Sequence, residues 1–589
     1  MTDFIPRRNA AIAGCLVLLG AVGAALLWHA REERRAEEAA LRALLSQYPM
    51  PVSVSPEGSR VLVKTRDASD FEIAVLDRQS GTVLHRARSF DTQLSLTWRP
   101  DGGAIAFISS AAGNRQYRLS LWDLSSGELN TFASPLTSTA APPIRWAPDG
   151  RSLLLYVGNS RAGELRLVKL GLGKALESVS LVRVSPEADY QWSPDGGRIA
   201  YIPLESESSI HQLEVGSSRA PESLAQLPDG SVVRELSWSA DGQSLLYSAR
   251  EPHERFFSLR RLELKTRRSS LVARSSNDLR HPVWLKDQQH FLYEANEGGI
   301  SQLWIASADG QAPQLLGQPD ESHRILGLSD TGDQVYTSRS RLEFPPDLVA
   351  VSLSSKELSV VAASPRQATG IRPRLMTVTS DDGLQVPVIL WGDKLAGPDA
   401  KPRAIINVHG GPHLQELPVW DARTQYLLRQ GMIVASVNYR GSRGYGADFE
   451  KHEDTAGQAR DLIAVQRYLA EELGVPAENT SLLASSSGTR VAVQAAFLKP
   501  EGFGRLVLTS TVPLVPGTCP GESGSRRVLA FHGLNDNALS PSVARGALER
   551  CFGERPFGAG ATQFEVFEDE GHQFHRSRTW ARILSSLNG

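Results

Sequence analysis

YQWSPDGGRIAYI, residues 190–202, is a short alternating strand, a Pro-Asp-Gly turn and a second strand ending in apolar residues. Turn residues of this kind between two alternating runs specify a hairpin. The same grammar recurs as VSVSPEGSRVLV (52–63), LTWRPDGGAIAFI (96–108), IRWAPDGRSLLLY (144–156), LSWSADGQSLLYS (236–248), PVWLKDQQHFLYE (282–294) and LGLSDTGDQVYTS (326–338), at a period of 44 to 48 residues. Most units continue into a further alternating stretch, as in RLSLWDLSSGEL (118–129), FSLRRLELKTRRSSL (257–271) and SQLWIASADGQAPQL (301–315). Seven units of four strands each predict a seven-bladed β-propeller over 51–363, every blade burying its face against the next. Trp98, Trp146, Trp192, Trp238 and Trp284 hold one position of the repeat. They are therefore expected to pack between blades. The first and last units each keep a full set of strands, so the ring is expected to close by packing alone.

From residue 366 to 589 the grammar changes. Apolar runs AIINVHG (404–410), MIVASVNY (432–439), TSLLASS (480–486), GRLVLTS (504–510) and RVLAFHG (527–533) alternate with helical stretches such as TAGQARDLIAVQRYLAEEL (455–473). Near-continuous apolar strands separated by helices imply a buried parallel sheet, with its site at the carboxyl ends of the strands. ASSSGTR (484–490) sets Ser486 between a strand and a helix, with Gly488 two positions on for a sharp turn. HGLND (532–536) brings Asp536, and DEGHQF (569–574) brings His572 after the strand QFEVFE. The chain order Ser, Asp, His is that of an α/β-hydrolase fold. A serine hydroxyl needs an imidazole to take its proton and a carboxylate to orient that imidazole, so the three residue types belong together. NVHGGPH (407–413) ends its strand in a Gly-Gly turn, so Gly410 or Gly411, with the N–H of Ser487, could meet a developing oxyanion. His409 is expected to hold that turn.

The motifs VHGGP, VNYRGSRGYG (437–446), ARDLIAVQRYL (459–469), SSSG, HGLNDNALSP (532–541) and EDEGHQFH (568–575) stand behind a propeller in the order of the prolyl oligopeptidase family. The chain resembles that family over essentially 50–589, and its WxPDG units also resemble TolB-like propellers. The resemblance implies a serine peptidase with Ser486 as nucleophile, Asp536 and His572 completing the triad, and Gly410 or Gly411 at the oxyanion. It also puts Tyr439 and Arg440 near substrate, with Arg490 on the helix after the nucleophile as a third binding candidate. Three departures stand out: Ala484 replaces the first glycine of the elbow, Ser487-Gly488-Thr489 replaces an aromatic followed by two glycines, and a short loop, VPLVPGTCPGESGSR (512–526), stands where the family commonly inserts helices. The specificity pocket is therefore altered, and proline preference does not follow.

Composition narrows the rest. The 63 basic and 65 acidic residues nearly cancel, which gives no nucleic-acid footprint. Three cysteines (Cys15, Cys519, Cys551) have no metal-ligand spacing, and neither a metal nor a cofactor is implied. After a short tail (1–9), AAIAGCLVLLGAVGAALLW (10–28) is uncharged and as a helix would measure roughly 28 Å, enough to cross a bilayer. A transmembrane signal anchor over 10–29 and a linker helix over 30–50 are expected, with the body exported from the inner membrane. A cleavable signal peptide and lipidation at Cys15 are the alternatives for this segment. Outside that membrane a Cys519–Cys551 disulfide is permitted. The expected activity is hydrolysis of short peptides through an acyl-enzyme, with access gated by the propeller. An esterase, thioesterase or isopeptidase on the same triad, and a catalytically silent propeller-based binding protein, are the competing readings.

Overall fold

The computed structural model describes four residues between 32 and 39 and then residues 50–587, except 67–70, 90–91, 111–116, 133–142, 159–161, 171–175, 330, 365–370, 394–401, 412, 453, 515–526, 537 and 553–561. The apolar segment 10–28 lies outside the described residues. Among those described, no helix is long and apolar enough to cross a membrane.

Seven four-stranded antiparallel sheets follow one another over 50–89, 92–131, 145–184, 190–226, 232–273, 278–316 and 321–362, each built from strands consecutive in sequence. The turns explain the repeat. In five units the aspartate accepts the N–H two residues on, as Gly197 N to Asp195 at 3.0 Å and Gln243 N to Asp241 at 3.0 Å, and in four of them the residue after the aspartate is a glycine in a left-handed conformation (Gly196, φ 71°). The sixth unit has no glycine there and makes the same turn with Gln288 at φ 57°.

Blades pack as expected. Leu154 and Tyr156, Tyr190 and Ile199, and Leu236 and Tyr247, from three successive sheets, share one buried cluster. The ring closes without strand exchange: Val54, Val61 and Val63 of the first blade pack on Tyr336, Leu348 and Ala350 of the last. The repeated tryptophans also hydrogen-bond. Trp146, Trp192 and Trp238 donate through Nε1 to the carbonyls of Thr97, Arg145 and Gln191 in the preceding blade, at 3.2 to 3.4 Å. Arg198 stacks over Trp238 of the next blade at 5.0 Å and donates to the Gly242 carbonyl at 2.9 Å; Arg60 does the same with Trp98 and Gly102.

The second domain is an eight-stranded sheet in the order 374–379, 385–391, 432–437, 403–408, 480–485, 505–509, 527–533, 562–567. The first two strands run antiparallel and the other six are parallel. Alternate residues feed two cores: Ile406, Leu482 and Ala484 face the helices 455–473 and 488–498, while Ile405 and Leu483 face 422–429 and 577–585. The helix 455–473 has its predicted bounds. The Asp454 carboxylate accepts from Ala456 N and Gly457 N, and Gly474 ends it at φ 66°. The hairpin 374–391 had no counterpart in the sequence reading.

The loops at the carboxyl ends of 403–408 and 432–437 touch the propeller. Arg250 pairs with Glu450 at 2.7 Å, Arg443 with Glu187 at 3.0 Å, Asn296 Nδ2 donates to Gln415 Oε1 at 2.6 Å, and Ala447 N donates to the Arg255 carbonyl at 2.8 Å. Blades four to six thus dock on the edge of the sheet that carries Ser486, Asp536 and His572. Cys551 is disulfide-bonded; Cys15 and Cys519 lie outside the described residues.

Candidate active site

The strand 480–485 delivers Ser486, which sits at φ 51°, a conformation a non-glycine residue adopts at a cost. The elbow is held by Ser486 N–H to the Thr509 carbonyl at 3.0 Å and by Thr489 Oγ1 donating back to the Ser486 carbonyl at 2.6 Å. The left-handed residue is the serine itself. Gly488 serves another purpose: a Cβ there would meet the His409 carbonyl oxygen at 2.3 Å, so only glycine lets the helix start pack on the end of 403–408. Gly410 plays the reciprocal part, since its Cβ would lie 2.8 Å from Ser486 Cβ. Ala484 is fully buried and its methyl packs in the core between Val408 and Leu508.

Ser486 Oγ lies 2.8 Å from His572 Nε2, and His572 Nδ1 lies 2.9 Å from Asp536 Oδ2. Three segments separated by up to 86 residues are thereby joined in one hydrogen-bonded chain. Asp536 also accepts the N–H groups of Ala538 and Leu539 at 2.8 and 3.1 Å, and His532 Nε2 lies 3.1 Å from its Oδ2. Burial works to raise the Asp536 pKa, but these donors prevail and hold it well below the usual carboxylate range. A fully buried carboxylate stays charged and orients the imidazole. His572 is fixed from behind, where Ser510 Oγ donates to its carbonyl at 2.6 Å. Gly533 lets the two loops meet: a Cβ there would strike the Gly571 oxygen at 2.3 Å. His532 and Ser510 were not singled out from sequence. The one available signal was His532, four residues before Asp536 in HGLND.

The turn after 403–408 is built on His409, whose ring stacks on Tyr439 at 4.4 Å and lies 2.9 Å from both Ser442 Oγ and the Gly410 carbonyl. Burial lowers its pKa to about 4, so it is neutral near pH 7 and holds the turn. Gly411 turns at φ 61° beside Leu414. Ser487 stands at the N-cap position of the helix 488–498 without a side-chain capping bond, and its N–H has no backbone acceptor among the described residues. Gly410 packs directly against Ser486, and Gly410 and the N–H of Ser487 are the candidates to receive an oxyanion.

Two substrate-binding candidates lie inside the scaffold instead. Tyr439 is fully buried and its hydroxyl donates to the His409 carbonyl at 2.9 Å. Arg440 is buried between carboxylates, 2.7 Å from Asp461 and 2.7 Å from Asp382, so its guanidinium is spent on linking the turn to the helix 455–473 and the 374–391 hairpin. Arg490, half-buried on the first turn of 488–498, enters no ion pair among the described residues. No group of side chains among the described residues could hold a metal.

Residues 64–325 match the family model of the TolB beta propeller domain, and 418–514 that of the prolyl oligopeptidase family. The uncharacterized peptidase YuxL of Bacillus subtilis (strain 168) is 27% identical over 134 residues, 22% of this chain and 19% of that one. The alignment thus spans about a fifth of the curated relative's length. A structure from a study of two prolyl endopeptidases superposes with a TM-score of 0.78 over 95% of this chain and 92% of that one at 16% identity. A puromycin hydrolase does so with 0.73 over 93% and 95% at 18% identity. At such identities the superpositions speak for the fold, and the two family models, matched in order, give a TolB-type propeller over 64–325 followed by a prolyl oligopeptidase family region over 418–514.

Proposed function

We propose that this protein is a serine peptidase that hydrolyses short peptides through an acyl-enzyme intermediate on Ser486. The observation that carries this reading is the continuous chain Ser486 Oγ, His572, Asp536, with links of 2.8 and 2.9 Å. His572 takes the Ser486 proton as Oγ attacks the peptide carbonyl. The Ser487 N–H and the Gly410–Gly411 backbone receive the oxyanion, and Asp536 stabilises the imidazolium. The imidazolium then protonates the leaving amine, and a water activated by the same imidazole releases the acyl group. Docking of the propeller on the carboxyl edge of the sheet supports restriction to short, extended substrates. A fluorophosphonate reagent is expected to label Ser486 in the wild type and nothing in Ser486→Ala, with fluorogenic peptides turned over by the wild type alone. An unlabelled wild type would return the protein to the class of silent binding proteins. Labelling together with ester turnover and no peptide cleavage would favour the esterase reading, which the altered loop 512–526 keeps in play.

The body is read as exported and held at the inner membrane by the segment 10–28. Two features support this: the length of that uncharged stretch and the disulfide at Cys551, since such bonds persist in oxidising compartments. Added protease should degrade the body in intact spheroplasts. Protection until lysis would contradict export.

A further inference from the structure

We propose that His532 is a positioning residue of the triad: its imidazole shares Asp536 Oδ2 with His572, weakens the hold of that oxygen on His572, and so sets how far into acid Ser486 stays reactive. The inference rests on the serine-peptidase reading and adds a residue that governs its pH range. His532 lies in the strand 527–533, four residues before Asp536, and is fully buried. Its Nε2 is 2.8 Å from the Leu539 carbonyl oxygen and 3.1 Å from Asp536 Oδ2. Both neighbours are acceptors, so Nε2 carries the proton. Nδ1 is buried and has no hydrogen-bond partner. A proton there would be a buried donor without an acceptor, so the site favours the Nε2–H tautomer. The ring is also held by packing, stacked on Phe564 of the adjacent strand 562–567 at 6.2 Å.

Two imidazoles therefore meet one oxygen. His572 Nδ1 is 2.9 Å from the same Oδ2, while Oδ1 takes the N–H groups of Ala538 and Leu539 at 2.8 and 3.1 Å. Burial pushes the Asp536 carboxyl up, and the bond from His532 leads those that bring it below its usual range. A carboxylate whose charge is shared among more donors attracts each of them less. Asp536 stabilises the imidazolium when His572 is protonated, and with His532 on Oδ2 that stabilisation is moderate, so His572 gives up its proton more readily and stays available as a base. The other charged groups nearby have partners of their own. In the loop that carries His572, the Glu570 carboxylate accepts the N–H groups of His575 and Arg576 at 3.0 and 2.8 Å, and Asp569 pairs with Arg576 at 2.6 Å and with Arg578. On the neighbouring elements, Glu565 pairs with Arg582 at 2.9 Å and Arg545 lies over the Phe564 ring at 4.8 Å. None of these groups changes in the comparison below, so their own titration cancels.

The probe is a fluorophosphonate, whose reaction with Ser486 needs the base and no substrate. Its second-order rate constant is measured from about pH 4 to 9 on the full-length wild type, His532→Phe, His532→Gln and Phe564→Leu. The pH of half-maximal rate on the acid side does not depend on how much of a preparation is folded. Phe keeps the bulk of the ring and removes its donor; Gln removes the imidazole with a different shape. In both, the half-maximum should move up by about half a unit to one unit of pH, the scale of one hydrogen bond to a charged group, with the plateau lowered by no more than about tenfold. Phe564→Leu loosens the packing of the ring and keeps the donor, and its half-maximum should stay at the wild-type pH. A labelled wild type whose half-maximum is unmoved or lowered in both His532 variants overturns the positioning role while the peptidase reading stands. An equal upward shift in Phe564→Leu assigns the effect to packing and also overturns it. A wild type that is not labelled at any pH overturns both.

Discussion

On the proposed peptidase reading the chemistry turns on Ser486, His572 and Asp536, and their substitutions should separate by role. Ser486→Ala should lower turnover by about a millionfold with the fold intact, and Asp536→Asn by about ten thousandfold, because the imidazole loses its orienting acceptor. Stopped assays with a fluorogenic peptide and circular dichroism on the same samples check both. His532→Gln removes one of several donors to Asp536, and a loss of about tenfold is expected. The hydrogen-bonded chain Ser486, His572, Asp536 joins three residues that stand out in the sequence because each follows a strand in a fixed order. Its support does not stand out. Ser510 meets the His572 carbonyl across 62 residues, and Arg440 finds Asp461 and Asp382 at separations of 21 and 58. A motif gives a residue's position along the chain and not the direction of its side chain, so Tyr439 and Arg440 look like binding residues until their partners are seen.

The elements follow the same division. Strands and turns of the propeller were legible because period and Pro-Asp-Gly chemistry are local, whereas the hairpin 374–391 was missed because its apolar face is covered from the helix 455–473, far along the chain. Gly488→Ala is a test at this scale. Its methyl would need space held by a backbone oxygen 2.3 Å away, and overpacking of this kind costs about 1–3 kcal/mol. We expect a lower melting temperature together with lost turnover, as the elbow and the His409 turn part. A second test lies in the propeller. Desolvation lowers the pKa of His281, but its hydrogen bond to Glu294 at 3.0 Å and the charges of Glu294 and Glu235 raise it to about 9. The folded state therefore holds this proton more tightly than the unfolded chain, and the stabilisation, full below about pH 6.5, is lost as pH rises through about 9. With the His281 ring more than half exposed, the effect is at most about 1 kcal/mol. Thermal unfolding scanned from pH 6 to 10 should show a decline that His281→Gln flattens.

At the scale of the whole molecule, the two domains meet through ion pairs and hydrogen bonds from blades four to six to the loops 413–418 and 440–450. These contacts set the propeller over the carboxyl edge of the sheet. On the proposed reading, substrate enters by a side opening or the propeller channel, and an extended peptide is expected to pass where a folded domain does not. Arg250→Glu with Arg443→Glu would set like charges against Glu450 and Glu187, which should loosen the docking and increase attack on larger substrates. The most direct measurement offers a folded protein and its own short fragments, at equal concentration of scissile sequence, to the wild type and to Ser486→Ala, and follows initial rates by mass spectrometry. The fragments should be cut by the wild type alone and the folded protein spared. Equal cleavage of both substrates, or cleavage of the fragments by Ser486→Ala at the wild-type rate, would contradict a propeller-gated peptidase acting through Ser486.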